Sequence, residues 1–129
     1  MNDPYLVRRA VIDPESGSSQ SWGWLSFLAD EETTGTSGVT VGTARIQPGA
    51  KNPLHKHPNC AEIILFLAGS VEHVVDTEVV EVAKGDMLIV PAGMPHRAHN
   101  VGSEPVEMIV IYNSGRRGFE LVEERFIST

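Results

Sequence analysis

The sequence holds a single cysteine, Cys60, so no intrachain disulfide braces it. A reducing cytoplasm is the simplest compartment for such a chain. Basic residues are scarce: 10 Lys and Arg against 17 Asp and Glu leave a formal charge of −7. That balance argues against a nucleic-acid groove or an anionic membrane surface as the main partner. Long apolar runs are missing too, and nothing approaches the ~18 consecutive apolar residues of a membrane span. The start, "MNDPYLVRRAVIDPESG", has no apolar stretch after its arginines to serve as a secretory signal. Helical periodicity, internal repeats and linker-like segments are nearly or wholly absent. What is present is apolar content, 41% over 129 residues, which is enough for a core and fits one domain spanning 1–129.

The apolar residues come in short runs separated by turn formers. "SWGWLSFLA" (21–29) is aromatic-rich, and "VTVGTARIQ" (39–47) alternates with β-branched residues; both read as strands. Between them, "DEETTGTSG" (30–38) reads as a mobile polar loop, as does "DPESGSSQ" (13–20). "AEIILFLAG" (61–69) is almost continuously apolar, the pattern of a strand buried on both faces. "SVEHVVDTEVVEVAKGD" (70–86) suits two strands around Asp76-Thr77, and "EPVEMIVIY" (104–112) suits another. "MLIVPAGMPH" (87–96) is a strand closed by a Pro91-Ala92-Gly93 type II turn. The tail after Tyr112 fits a helical turn or an edge strand. Seven or eight strands at intervals of about ten residues indicate an all-β sandwich or barrel. Gly49, Gly69, Gly85 and Gly93 stand where a positive φ is expected.

"HKHPNCAE" (55–62) raises the functional question. Side chains two apart on a strand share a face, so His55 and His57 look the same way. Glu62 is an odd number of residues from His57, and a regular strand would turn it away. Pro58-Asn59 supplies the bulge or turn that lets the carboxylate swing back.

Two stretches carry a family resemblance. "GAKNPLHKHPNCAEIILFLAG" (49–69) sets a glycine, then His-x-His, then Glu after four residues, then Gly after six. "GDMLIVPAGMPHRAHN" (85–100) sets a glycine, then Pro-x-Gly, His and Asn. Together they resemble the two motifs of the cupin superfamily at every defining position, with a short intermotif stretch, as in small single-domain bacterial cupins. The resemblance implies a small jelly-roll β-barrel with a core at about 39–112. It implies that His55, His57, Glu62 and His96 converge on one divalent metal ion. Three imidazoles and a carboxylate suit Fe, Mn, Co, Ni, Cu or Zn and leave positions open for substrate. A homodimer is the assembly it implies.

The remaining chemistry-bearing residues read more plainly. His73 and His99 fall outside the motif, and the parity of His99 points it away from His96. Both are read as structural. Cys60 shares the parity of Glu62 and is read as a small buried hydrophobe. Phe66, Met87, Met94 and Tyr112 are read first as core fillers that also suit a pocket wall. Arg45 fits equally a clamp for a substrate carboxylate and a solvent-facing position. Trp22 and Trp24 share a face and suit a pocket mouth or, in preference, a subunit interface. A metal with open positions points to an enzyme acting on a small oxygenated molecule. Dioxygenase chemistry comes first and lyase or isomerase chemistry next, with Glu62 as ligand and proton acceptor. The alternative is a non-enzymatic small-ligand binder or sensor. Nothing outside the barrel is long or basic enough for a helix-turn-helix.

Overall fold

The computed structural model describes residues 5–6 and 18–124. Two antiparallel sheets face each other. The first, in spatial order, is β1 (Ser18–Gln20), β2 (Gly23–Ala29), β3 (Thr40–Ile46), β10 (Val106–Tyr112), β5 (Glu62–Ala68) and β8 (Met87–Val90). The second is β11 (Glu120–Leu121), β4 (His55–Lys56), β9 (His96–Asn100), β6 (Ser70–Val75) and β7 (Glu78–Ala83). The described residues thus hold eleven strands rather than seven or eight. Those outside the seven segments read as strands are β1, β4 and β11, of two or three residues, too few for alternation to show in a sequence, and β9, five mostly polar residues just past the Pro91-Ala92-Gly93 turn.

The core fills the space between the sheets. Ala44, Ile46, Ile64, Phe66, Met108 and Val110 enter from the first sheet and meet Val71, Val82 and Ala98 from the second. β5 is where the reading of two-sided burial fails. Glu62, Ile64 and Phe66 are buried, whereas Ile63 and Leu65 are half-buried and Leu67 is exposed. A two-layer antiparallel fold gives each sheet one covered face, whatever residues the other face carries. Met87 and Ile89 on β8 lie on that uncovered side, 57% and 58% exposed. Met87 is therefore neither core nor pocket wall.

Two loops are more ordered than their composition suggests. Within 30–38, Glu31–Thr34 forms one helical turn, α1; Asp30 caps it by accepting from the Thr33 amide at 2.6 Å. Gly35 ends it in the left-handed region. Of the stretch 13–20, Ser18–Gln20 pairs with β2 as a strand, and the rest lies outside the described residues.

The tryptophans part company. β2 begins at Gly23, and Trp22 sits in the turn before it, lining the internal cavity with Leu25. Trp24 lies outside the cavity lining, its ring 5.7 Å from the Arg45 guanidinium. Alternation breaks at Gly23, where the backbones of β2 and β3 approach so closely that a Cβ would stand 1.8 Å from the Arg45 carbonyl oxygen. Gly23→Ala is accordingly expected to lower stability by about 1–3 kcal/mol, the usual range for overpacking. A urea midpoint equal to that of the parent would contradict this close approach.

Candidate metal centre

The two sheets deliver the four motif side chains to one point. His55 opens β4 and stands opposite His96, the first residue of β9. His57 lies just past the end of β4. The turn at Pro58-Asn59 then carries the chain across to the first sheet, where Glu62 opens β5. The odd spacing is resolved by this change of sheet, not by a bulge within one strand. On the other side, Met94 N donates to Pro91 O at 3.2 Å, with Gly93 at φ 77, closing the turn before His96. Gly93 N also donates to His57 O at 2.8 Å, so the two motifs are tied by backbone before their side chains meet.

The ligand-type atoms of His55, His57, Glu62 and His96 all lie within 4.8 Å of one another, and all four residues are buried. Bonds of about 2.1 Å would place opposite ligands about 4.2 Å apart, so one ion fits with a small inward adjustment.

Proton positions give the stronger test of fit. His55 Nδ1 lies 2.7 Å from Pro53 O, and His57 Nδ1 lies 2.8 Å from Gly118 O. A carbonyl only accepts, so each Nδ1 must carry a proton. A neutral imidazole held this way presents a bare lone pair at Nε2. His57 Nε2 then faces Glu62 Oε1 at 3.2 Å, and His96 Nε2 faces the same oxygen at 3.1 Å. All three atoms are buried without a hydrogen-bond partner. The His57 lone pair set against a carboxylate in a dry interior calls for a positive charge, supplied by a proton on Nε2 or by a cation among the four groups.

The titration tendencies follow. Burial pushes His55 down to about 3, and His96 beside it acts in the same direction. Burial drives the Glu62 carboxyl upward, but the two imidazoles on Oε1 outweigh it and hold it below the usual carboxylate range. Tyr112, opposite Glu62 across the β5–β10 pair, donates its hydroxyl to Glu62 Oε2 at 2.9 Å. Burial, then the nearby Glu62 charge, pushes the phenol well above 10, so it stays a donor and aims Oε1 at the centre.

His73 is the residue whose part the sequence reading missed. Its Nε2 lies 2.9 Å from His96 Nδ1, with the two rings stacked at 14°. When His96 offers Nε2 to an ion, its Nδ1 must donate to His73, which fixes the ring as an outer partner fixes a metal-ligating histidine. Burial lowers His73 itself to about 3, with the neighbouring His96 adding to the effect. The available signal was parity: Val71 and His73 share the inward face of β6, with Glu72 opposite. His99 is half-buried at the alternate position to His96, as its parity indicates.

The other candidates stand apart from the centre. Arg45 Nε donates to Glu107 Oε1 at 3.1 Å, away from the central cavity, which decides against the substrate clamp. Cys60 and Phe66 are buried core residues, and Met94 is partly buried against the same core. A cavity of about 240 Å³ opens beside the centre, walled by His55, Glu62, His73, His96 and Tyr112 together with apolar side chains. Two of its walls, Arg117 and Phe119, come from the tail; Phe119 stacks on His55 at 5.1 Å.

A family profile described as "Cupin domain" matches residues 42–112. Germin-like protein 3-8 of Oryza sativa subsp. japonica is 32% identical over 111 residues, covering 80% of this chain and 49% of that protein. An uncharacterized protein of Methanocaldococcus jannaschii is 34% identical over 70 residues, covering 54% of this chain and 56% of its own length. The chain spans about half the length of the curated relatives it matches. Among solved structures, Bacillus subtilis oxalate decarboxylase, whose Mn(II) centres have been characterised, superposes with a TM-score of 0.78 at 22% identity, covering 83% of this chain and 30% of that one. The likeness shows a shared fold.

Metal analysis tests the centre directly. His57→Ala is expected to lose most of the bound metal by elemental analysis, whereas His73→Leu retains the ligands but weakens affinity about 10- to 100-fold. Unchanged metal content in His57→Ala would contradict the assignment. A second expectation concerns acid and the metal-free protein. Folded His55 and His73 titrate near 3 rather than 6.5, so below 6.5 the unfolded chain binds protons that the folded chain refuses. Stability should therefore fall as pH drops from 6.5 toward 3, by up to about 1.4 kcal/mol per pH unit for each histidine. Urea unfolding at a series of pH values checks this, and a flat profile would contradict it.

Proposed function

The chain belongs to the cupin family, and from that premise we propose that it is a metal-dependent enzyme acting on a small oxygenated molecule. The observation that carries this reading is the convergence of three orphaned buried atoms, His57 Nε2, His96 Nε2 and Glu62 Oε1, beside a cavity sized for a small metabolite that Glu62 and His96 line. His55, His57, Glu62 and His96 would hold a divalent ion, which supplies Lewis acidity or, for a redox metal, dioxygen chemistry. Dioxygenase-type chemistry is the first candidate, with lyase or isomerase chemistry next.

The chain's own residues define what happens around such a centre. Nδ1 bonds to backbone carbonyls keep His55 and His57 from rotating, and His73 does the same for His96. Apolar walls, including Ile64, Met108 and Val110, exclude bulk water from the bound molecule. Glu62 is the only carboxylate among the described residues that line the cavity. In this reading Glu62 takes a proton from substrate, and the Tyr112 hydroxyl, donating to Oε2, stabilises its ionised form between turnovers.

The test is reconstitution of the metal-free protein with Fe²⁺, Mn²⁺ or Zn²⁺ in turn, followed by a panel of small oxygenated compounds. Iron-dependent oxygen uptake that disappears in Glu62→Ala is the expected result. Conversion without oxygen uptake would favour the lyase or isomerase chemistry. Ligand-raised melting temperatures with no turnover in any metal form would replace the enzyme by a binding or sensing protein.

A further inference from the structure

Four arginines lie among the described residues, and three are ion-paired: Arg45 with Glu107, Arg97 with Glu124 and Arg116 with Glu31. Arg117 is the exception. In a chain with 17 acidic residues against 10 basic ones, it has no carboxylate within ion-pair distance and no protein acceptor for its N–H groups among the described residues. Three aromatic rings hold it instead. The guanidinium carbon lies 4.6 Å from the Phe27 ring centre, 5.3 Å from that of Phe119 and 5.4 Å from that of Tyr112. Ring faces fix the position of a guanidinium without consuming its donors.

Its location gives those donors a use. Arg117 is the only lysine or arginine among the described residues lining the cavity beside the metal centre. The two rings it shares with that centre are Tyr112, bonded to Glu62, and Phe119, stacked on His55. Asp30 and Glu32 line a separate pocket that Arg117 also borders, but neither pairs with it. A divalent ion with three neutral imidazoles and Glu62 keeps one net positive charge, and Arg117 adds another. The cavity offers no second carboxylate to balance them. A planar fork of donors in a half-dry apolar wall matches a carboxylate group.

We propose that Arg117 is the anion receptor of this cavity, selecting small carboxylates over their neutral isosteres. The assignment rests on the proposed function for the use of that selection. It makes Arg117 a determinant of specificity and leaves metal binding to the four motif residues.

Zn²⁺-loaded protein and its Arg117→Gln and Arg117→Lys variants provide the test. Propionate, and propionamide as its neutral isostere, serve as probes in ligand-observed NMR titrations, with zinc content measured on the same samples. At equal zinc content, propionate affinity should fall about tenfold or more in Arg117→Gln, as expected for loss of a charge-assisted contact. Propionamide affinity should stay unchanged, and Arg117→Lys should retain part of the propionate binding. Equal propionate affinity in parent and Arg117→Gln would overturn the proposal. So would a parallel loss of propionamide, which would mean that the wall itself had deformed, or an absence of propionate binding in the parent. If the parent takes up no zinc, the metal reading fails; the propionate difference between the metal-free proteins then still decides the role of Arg117.

Discussion

The structure turns on two hydrogen bonds that leave no choice of tautomer. Pro53 O and Gly118 O each take the Nδ1 proton of a histidine, and both imidazoles must then aim bare Nε2 lone pairs at the interior. A fold dominated by apolar packing gains nothing from imidazole nitrogens crowded on a carboxylate. Their presence makes sense only if a positive charge completes the group. Protons and a cation compete for the same role, so occupancy of the centre and acidity of the medium are linked through these residues.

Separating the ligands between two sheets makes the arrangement rigid. Had all four stood on one strand pair, a slip of register would have dispersed them. Here His55 and His96 face each other across β4 and β9, while Glu62 is set by its register with Tyr112 on β10. The core between the sheets fixes the distance from one set to the other. The Gly93–His57 backbone bond ties the two motif segments directly.

Much of this was legible in sequence because it depends on local chemistry. Gly49, Gly69, Gly85 and Gly93 all adopt positive φ, and Asp76-Thr77 forms the turn between two strands. Strands of seven residues, such as β3 and β10, are long enough for their β-branched residues to mark them. The four motif residues meet as their spacing and resemblance implied. What could not be read depends on contacts distant in sequence. The apolar run of β5 does not reveal that only one of its faces is covered. Trp22 and Trp24 obey parity on paper, and the close approach at Gly23 cancels it. Arg45 had two readings until Glu107 appeared opposite it in register. His73 looked like filler because its partner stands 23 residues away.

The tail is the clearest case, and it bears on why the centre is complete. Residues 113–118 carry no periodic signal, yet they fold back over the turn that separates His57 from Glu62. Asn59 Nδ2 donates to Arg116 O at 2.8 Å and its Oδ1 accepts from Gly118 N at 2.7 Å, while Asn113 Oδ1 accepts from Ala61 N at 2.8 Å. A Cβ at 118 would stand 2.7 Å from Asn59 Oδ1 and 3.2 Å from the Pro58 ring, so glycine there lets the strap lie close against the turn. The polar turn, awkward as a bridge between sheets, thus becomes the anchor for a strap. That strap returns Gly118 O to orient His57, Phe119 to cover His55, and Arg117 to the cavity wall. The orientation of His57 and part of the cavity wall are consequently set by one short segment, and its placement follows from the same Pro58-Asn59 reversal that brings Glu62 to the histidines.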